Sequence, residues 1–235
     1  MRATVCLPTY NERDNLEPMV HALGEHGVRV LVIDDNSPDG TGELADRLAG
    51  ELGYVDVLHR TRKEGLGPAY VAGFRRALAD GAERIFELDC DFSHDPNDVP
   101  RLLAATDDAD LALGSRYVDG GAIRDWGLVR RAISSAGSFY ARVLLSSGIR
   151  DLTGGFKCYR REVLETIDLG AVHSRGYAFQ IETTYRALRA GFRVVEVPIT
   201  FVDREVGGSK MSRAIVLEAI WKVPALRLAA MRGTL

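Results

Sequence analysis

The chain has 235 residues, a formal net charge of −3 and a hydrophobic content of 46%. This length suits one large domain or two small ones, and the composition is ordinary for a folded soluble protein. The small negative charge excludes a protein that binds nucleic acid over its whole surface. The cysteines Cys6, Cys90 and Cys158 are far apart and form no C-x-x-C pair, which argues against a disulfide framework or a zinc site.

The amino terminus and the hydropathy pattern bear on location. A strand-like run starts at Ala3, directly after the first two residues, so we expect no signal peptide. The sequence has no stretch of about 18 uncharged apolar residues, so we expect no transmembrane helix. These features predict a cytoplasmic protein.

Short apolar runs alternate with helical stretches along the first half of the sequence. The apolar runs predict strands at residues 3–8, 28–33, 55–58, 85–88 and 109–114. The stretches between them predict helices that end near residues 26, 52, 80 and 105. This alternation is typical of βαβ units and predicts an α/β fold of the Rossmann type, with a mostly parallel sheet flanked by helices.

Acidic residues directly follow two of the predicted strands. Asp34 and Asp35 follow the second, and Asp89 and Asp91 follow the fourth. Two carboxylates in one loop are typical ligands of Mg²⁺ or Mn²⁺, with phosphate oxygens completing the shell. A solvated turn that caps the next helix is the alternative for an isolated Asp-x-Asp.

The fold prediction favours the metal site over the solvated turn. Ligands of parallel α/β sheets bind beyond the carboxyl ends of the strands. The residues predicted at those ends are Pro8, Asp34, Asp35, Asp89, Asp91 and Arg116.

The second half of the sequence departs from the alternation. It predicts helices at residues 128–145, 161–167 and 178–190, and a strand at 192–201. Pro198 in that strand predicts an edge or a bulge. Arg130 and Arg131 stand at the start of the long helix, where cations oppose the helix dipole. A phosphate ligand would account for them, and a solvated pair is the alternative.

The last segment reverses the charge balance of the chain. Residues 204–235 carry six basic and two acidic side chains. The stretch from Met211 to Met231 has helical periodicity, and Pro224 should kink or split this helix. We therefore predict a catalytic domain over residues 1–210 and a C-terminal amphipathic helix over 211–235. This helix either packs on the sheet or lies on a membrane surface.

Two common nucleotide-binding motifs are missing. No G-x-G-x-x-G follows the first strand, and no G-x-x-x-x-G-K-[ST] occurs. Their absence argues against an NAD-linked oxidoreductase and a P-loop NTPase. A nucleotide sugar, whose diphosphate is held by a divalent ion, fits the acid pair better.

Several segments carry a resemblance to a known family. Residues 8–12, 34–41 and 89–94 resemble the inverting glycosyltransferases of family 2, which have the GT-A fold. Residues 114–117, 151–156, 176–182 and 208–211 are similar to those of polyprenol-phosphate (dolichol-phosphate) mannose synthases. The resemblance covers about residues 3–220. One departure is Gly155, where serine or another small residue is expected. Another is the lack of the transmembrane region that some members carry, which leaves room for a separate integral-membrane partner.

The resemblance implies a reaction. The donor is GDP-mannose, the acceptor is a polyprenyl monophosphate, and a single displacement gives a β-mannosyl phosphate. The enzyme would lie peripherally on the cytoplasmic face of the membrane. A phosphate monoester has a second pKa of ~6, so the acceptor can attack without a strong general base.

Position and resemblance together assign the site residues. The predicted metal ligands are Asp89, Asp91 and Ser93. The residues expected to contact the donor nucleotide are Pro8, Tyr10, Glu12, Asp34, Asp35, Asp89 and Lys210. Those expected to contact the acceptor phosphate are Arg116, Arg130, Ser134, Gly154 and Lys210. The predicted catalytic residues are Asp91, Arg116 and Arg130.

Some roles stay open at this level. Glu12 is equally explained as an acid at a helix N-terminus. Gln180 and Glu182 can touch mannose, order the acceptor loop or cap a helix. A UDP-glucose-dependent polyprenyl-phosphate transferase is the alternative within this class of enzyme. A non-catalytic subunit that binds a nucleotide sugar is the alternative outside it, and the intact Asp89/Asp91 pair argues against it.

Overall fold

The computed structural model describes residues 2–172, 174, 176–203 and 213–235, without the side chains of residues 128–130, 177 and 213–219. The strands are β1 (Ala3–Thr9), β2 (Arg29–Asp34), β3 (Val55–His59), β4 (Arg84–Glu87), β5 (Leu111–Ser115), β6 (Ala122–Ile123), β7 (Lys157–Arg160), β8 (Val194–Pro198) and β9 (Thr200–Phe201). The helices are α1 (Arg13–Gly24), α2 (Thr41–Glu51), α3 (Leu66–Ala79), α4 (Val99–Ala105), α5 (Leu128–Leu145), α6 (Arg161–Thr166), α7 (Gly176–Arg189) and α8 (Arg213–Arg232).

A seven-stranded sheet organises the fold. Its strand order is β3-β2-β1-β4-β7-β5-β8, and β6 pairs with β9 in a small second sheet. All neighbours in the large sheet are parallel except β7, which is antiparallel to both β4 and β5. The predicted α/β architecture with a mostly parallel sheet is confirmed.

Strand β7 is the main feature that the sequence did not predict. It spans only Lys157–Arg160 and has a charged residue at each end, so it shows neither an apolar run nor clear alternation. It nevertheless lies inside the sheet, where it joins the parallel strands β3, β2, β1 and β4 on one side to the parallel strands β5 and β8 on the other.

Pro198 lies on an edge strand as predicted, whereas Pro224 does not split the last helix. The predicted strand over 192–201 is two short strands, and Pro198 is the last residue of β8 at the sheet edge, as its missing N–H requires. Helix α8 runs without interruption through Pro224, so the expected split does not occur.

Helices cover both faces of the sheet. Helices α1, α2 and α4 pack on one face, with Leu16, Met19 and Leu48 among the buried side chains. Helices α3, α6 and α7 pack on the other, with Phe74 and Phe179 among them. This arrangement leaves the carboxyl ends of the parallel strands open as the edge at which a ligand can bind.

Helix α8 is buried on one side only. Its Val223, Leu226 and Ala230 pack against residues of α5 and α7. Trp221 and Met231 are exposed on the same helix. No helix in the described ranges combines the length and the apolar character that a membrane span needs.

Candidate active site

Three strand ends are followed by turns with an unusual backbone. Asn11, Asn36 and Phe92, which follow β1, β2 and β4, have φ angles of 57°, 58° and 56°. Asparagine tolerates this left-handed region, whereas a bulky residue such as Phe92 is strained there. Such turns redirect the side chains that follow each strand toward the common edge of the sheet.

The predicted metal loop follows β4. Asp89 accepts a hydrogen bond of 2.8 Å from the hydroxyl of Tyr70. Asp91 is buried and accepts a 3.0 Å hydrogen bond from the backbone N–H of Ser93. The neighbouring Cys90 is buried in the apolar core. Asp89 is therefore held by Tyr70 of α3, and Asp91 by the backbone of its own loop.

The donor set of this loop fits a divalent ion. The hydroxyl oxygen of Ser93 is buried and makes no hydrogen bond to the described residues, although a buried hydroxyl normally has a partner. Carboxylate and hydroxyl oxygens are hard donors that suit Mg²⁺ or Mn²⁺. The described residues contain no cluster of three His, Cys, Asp or Glu side chains that could hold a metal. An ion bound here would need substrate oxygens or water to complete its ligand shell.

The carboxylate of Asp34 accepts hydrogen bonds within the turn that follows it. Its carboxylate accepts hydrogen bonds from the hydroxyl of Ser37 at 2.6 Å and from the Ser37 backbone N–H at 3.1 Å. The hydroxyl of Thr9 lies 3.4 Å from the same carboxylate. These contacts join the end of β1 to the loop after β2.

Asp35 forms a buried ion pair. Its carboxylate lies 2.5 Å from Arg60, and the same guanidinium contacts Glu64 at 2.7 Å. Burial raises the pKa of Asp35, and the adjacent Arg60 opposes this shift. The sequence did not predict Arg60 as a partner, although it stands one residue beyond β3.

Tyr10 and Glu12 lie in the loop between β1 and α1. The ammonium group of Lys63 stands 3.7 Å from the centroid of the Tyr10 ring, a cation–π contact. Glu12 precedes α1 and accepts a 3.0 Å hydrogen bond from the side chain of Asn15. Pro8 is half-buried near the end of β1. Pro8, Tyr10 and Glu12 thus lie together at the carboxyl end of β1 and in the loop that follows it.

Arg116 is fixed by a partner that the sequence did not identify. Its guanidinium makes two parallel hydrogen bonds of 2.7 Å to Asp151, and its backbone N–H donates to the same carboxylate at 3.0 Å. A further bond of 2.9 Å reaches the hydroxyl of Thr153. Both charged side chains are almost fully buried. This bidentate geometry holds Arg116 in one orientation.

The loop that contains Gly154 packs tightly against β5. A Cβ on Gly154 would stand 2.9 Å from the carbonyl oxygen of Gly114, so only glycine fits there. A Cβ on Gly155 would stand 3.2 Å from the amide nitrogen of Gln180. This contact gives a physical reason for glycine at the position where the family resemblance suggested serine or another small residue.

A cleft of about 330 Å³ opens beside Arg116. Its lining residues are Arg116, Tyr117, Gly121, Ala122, Ile123, Arg131, Ala132 and Ser135. Ser134, a predicted acceptor residue, accepts a 2.9 Å hydrogen bond from the Tyr117 hydroxyl at this cleft. The side chain of Arg130 and all of Lys210 lie outside the described residues. The sequence already indicated Arg131 as a candidate phosphate contact beside Arg130, but it did not single out Ser135.

A buried polar network lies behind the metal loop. Lys157 and Glu87 are fully buried and their charged groups stand 3.7 Å apart. Burial lowers the pKa of Lys157 to about 8, against the effect of Glu87, and burial raises the pKa of Glu87. Gln180 is bonded to Lys157, whereas Glu182 pairs with Arg186 at 2.8 Å. Both predicted α7 residues therefore have contacts within the protein.

Sequence comparison identifies relatives over nearly the whole chain. The polyprenol monophosphomannose synthase of Mycolicibacterium smegmatis is 53% identical over 94% of this chain and 85% of its own. The undecaprenyl-phosphate mannosyltransferase of Micrococcus luteus is 50% identical over 98% of this chain and 96% of its own.

Solved structures share the fold at low identity. A mannosyltransferase from Pyrobaculum calidifontis, in complex with GDP-Man and Mn²⁺, is 18% identical with a TM-score of 0.57, and the match covers 99% of this chain and 74% of that chain. Mannosyl-3-phosphoglycerate synthase from Rubrobacter xylanophilus is 17% identical with a TM-score of 0.66, covering 100% of this chain and 76% of that chain. These likenesses establish the GT-A fold.

The family assignment agrees with the site. Residues 4–168 match glycosyl transferase family 2, and this range contains both acid pairs, Arg116 and the loop at Gly154. The chain belongs to glycosyl transferase family 2.

Proposed function

We propose that this chain is an inverting mannosyltransferase that moves mannose from GDP-mannose to a polyprenyl monophosphate. The observation that carries the proposal is the identity of 53% to a polyprenol monophosphomannose synthase over 94% of the chain. A second relative with 50% identity is named for mannosyl transfer to undecaprenyl phosphate. The product would be a polyprenyl phosphate β-mannose.

The metal loop would hold the donor diphosphate. Asp89, Asp91 and Ser93 would bind Mg²⁺ or Mn²⁺, and a structural relative was solved with Mn²⁺. When bound, such an ion stabilises negative charge on the departing diphosphate as a Lewis acid. The protein's own contribution is to hold the two carboxylates in place through Tyr70 and the backbone of Ser93.

The nucleoside would bind along the ends of β1 and β2. Tyr10 and Glu12 would contact it from the first loop. Asp35 would accept hydrogen bonds from the nucleoside, because its carboxylate is held at the edge of the sheet by Arg60. Asp34 would act indirectly, because its carboxylate already accepts hydrogen bonds from Ser37.

The acceptor phosphate would enter the cleft beside Arg116. Arg116, Arg130, Ser134, Gly154 and Lys210 are the proposed acceptor residues, and Arg131 adds a cation to the cleft. An acceptor oxygen forms the new bond to the anomeric carbon, and the bond to the diphosphate breaks with its electron pair leaving on the diphosphate. The acceptor phosphate is already ionised near neutral pH, so the site needs no general base.

The lipid chain of the acceptor requires contact with a membrane. Ile220, Trp221, Leu228 and Met231 are exposed apolar residues of α8, and Phe139 is exposed on the adjacent α5. Tryptophan is enriched at membrane interfaces. We therefore propose peripheral binding at the cytoplasmic face, with a separate integral-membrane protein as a further partner.

A parallel donor assay tests the proposed function. The purified protein is incubated with polyprenyl phosphate in vesicles, Mg²⁺ or Mn²⁺, and labelled GDP-mannose or UDP-glucose. We expect label in the lipid extract from GDP-mannose only. Label from UDP-glucose alone would assign the alternative donor, whereas GDP binding without turnover would assign a non-catalytic subunit.

A further inference from the structure

A buried ion pair joins the two strands that lead to the two halves of the site. Glu87 ends β4 and Lys157 begins β7, and the two residues are direct partners in the antiparallel pair. Neither side chain is exposed to solvent. An apolar pair of similar size often matches or exceeds the stability of a buried ion pair, so stability alone does not explain these charges.

The ammonium group of Lys157 uses all its hydrogen-bond donors. It donates to the carbonyl oxygen of Gln180 at 3.0 Å, to the side-chain oxygen of Gln180 at 2.7 Å and to the hydroxyl of Thr183 at 3.1 Å. An ammonium has three donors and no acceptor. Lys157 therefore docks the first half of α7 onto the sheet at a defined position.

The hydroxyl of Tyr159 closes the network. It lies 3.0 Å from the Glu87 carboxylate and 3.2 Å from the hydroxyl of Thr183. Glu87 thus contacts Lys157 and Tyr159, and both of these residues reach α7. One oxygen of the Glu87 carboxylate has no hydrogen-bond partner among the described residues, but the contacts to Lys157 and Tyr159 tie β4 and β7 to α7.

The network also sets the orientation of the Gln180 amide. Only the amide oxygen can face an ammonium, so the amide nitrogen must point the other way. That nitrogen lies 3.2 Å from the place where a Cβ on Gly155 would stand. The fixed amide therefore borders the loop over residues 151–156, which also holds Arg116 through Asp151.

We propose that Lys157 and Glu87 are positioning residues of the transferase site. They hold three segments in one register: the metal loop at residues 88–93, the loop at 151–156 and the start of α7. Neither residue touches substrate. The effect of this pair on turnover rests on the proposed function. Its effect on the rigidity of the three segments does not depend on which donor or acceptor the enzyme uses.

The test uses a double variant that removes both charges. Glu87→Gln with Lys157→Met keeps the side-chain volumes and leaves no unpaired charge in the core. We expect kcat to fall on the order of 100-fold, because misplacement of reacting groups has that effect. The KM for GDP-mannose should change by less than kcat does, because the pair borders the metal loop that would hold the diphosphate but not the loops after β1 and β2 that would hold the nucleoside.

A second measurement does not depend on turnover. Hydrogen exchange of the backbone amides in residues 88–93 and 151–156 should become at least about tenfold faster in the double variant, whereas β1 and β2 keep their protection. Unchanged exchange together with unchanged kcat overturns the proposal. If the wild-type protein shows no transfer at all, the proposed function fails and the exchange data alone decide the coupling.

Two further variants separate positioning from general stability. Asp110→Asn removes an ion pair of 3.6 Å to Arg160, at the other end of the same strand, and should leave kcat within about twofold of wild type. Gln180→Met leaves the ion pair intact, and it provides the test if the double variant does not fold. We expect Gln180→Met to lower kcat about tenfold with faster exchange at residues 151–156; wild-type values for both overturn the proposal.

Discussion

The residues proposed to bind the donor, at the ends of β1 and β2, form the donor half of the sheet edge, and those around Arg116 form the acceptor half. The two halves differ in how far along the chain the partners of their charged residues lie. In the donor half, Asp34 is bonded to Ser37, three residues away, and Asp35 to Arg60 at the end of the adjacent strand. In the acceptor half, Arg116 is held by Asp151, which lies 35 residues later in the chain, in the loop between α5 and β7. The donor half is therefore set by the first βαβ units alone, whereas the acceptor half requires the packing of the second half of the chain.

This difference matches the two proposed substrates. A nucleotide is a compact, charged ligand, and a rigid pocket binds it without a cost for ordering the protein. A polyprenyl phosphate brings a small head group attached to a long apolar chain, and the cleft of about 330 Å³ beside Arg116 is open at the surface. Variants in the two halves should therefore fail in different ways.

The largest expected effect belongs to the metal loop, which serves both halves. Asp91→Ala should lower transfer by on the order of 1,000-fold, because Asp91 is a proposed ligand of the ion that would stabilise the departing diphosphate. The measurement is label transfer from GDP-mannose across a series of Mn²⁺ concentrations, with the fold checked by circular dichroism.

The matched control for this variant is Asp95→Asn. Asp95 caps the turn just after the metal loop, and its carboxylate accepts a hydrogen bond from the backbone N–H of Asn97, which an asparagine oxygen can still accept. This variant should retain wild-type turnover. Full metal-dependent activity in a folded Asp91→Ala protein would remove the metal assignment.

The next largest effect concerns the long-range contact of the acceptor half. Asp151→Ala leaves the guanidinium of Arg116 buried without its counter-ion, which should lower the free energy of unfolding by about 3–5 kcal/mol. Urea denaturation measures this change. As a control, Asp56→Ala breaks a half-exposed pair with Arg29 and should cost less than about 1 kcal/mol. Equal losses in both variants would contradict the distinction between the halves.

Asp35 tests whether the donor half acts on the donor alone. Asp35→Asn weakens a charge-assisted contact, and it should raise the KM for GDP-mannose about tenfold. The KM for the polyprenyl phosphate should not change. Steady-state kinetics with each substrate varied in turn provides the measurement, and a change confined to the acceptor KM would reverse the assignment of the two halves.

The smallest expected effect concerns the proposed contact of α8 with the membrane. Trp221 is 78% exposed, and Trp221→Ser should weaken binding to anionic lipid vesicles about tenfold. Co-sedimentation with vesicles measures the partition. Turnover with a short, water-soluble polyprenyl phosphate should stay at the wild-type level, because α8 would then have no membrane to bind. Loss of turnover with the short acceptor would show a role for α8 within the site itself.

Sequence reasoning predicted most of the parallel sheet, because each βαβ unit carries its own apolar run and helix. It also placed both acid pairs and Arg116 at the correct edge. It did not predict β7, because the charges of Lys157 and Arg160 are compensated by residues far away in the chain. Such burial is set by tertiary contacts and leaves no local pattern.

The same reasoning explains the partners that sequence analysis missed. Asp151 was noted only as the first residue of the family-like segment 151–156, and nothing in the local sequence pairs it with Arg116. Arg60 is close in sequence to the basic residues Arg62 and Lys63, and the sequence does not show that Arg60 forms the ion pair with Asp35. Residue types near strand ends indicate where chemistry occurs, whereas their hydrogen-bond partners require the fold.

The burial of all three thiols makes the protein convenient for spectroscopy. Cys6, Cys90 and Cys158 are buried, and burial raises the pKa of Cys6 and of Cys158. Thiol reagents attack the exposed thiolate, so these native cysteines should stay unlabelled in the folded protein. A single added cysteine, such as Met231→Cys on the exposed face of α8, would carry a fluorophore or spin label. The label would then report whether α8 enters a bilayer, as proposed, without removal of any native thiol.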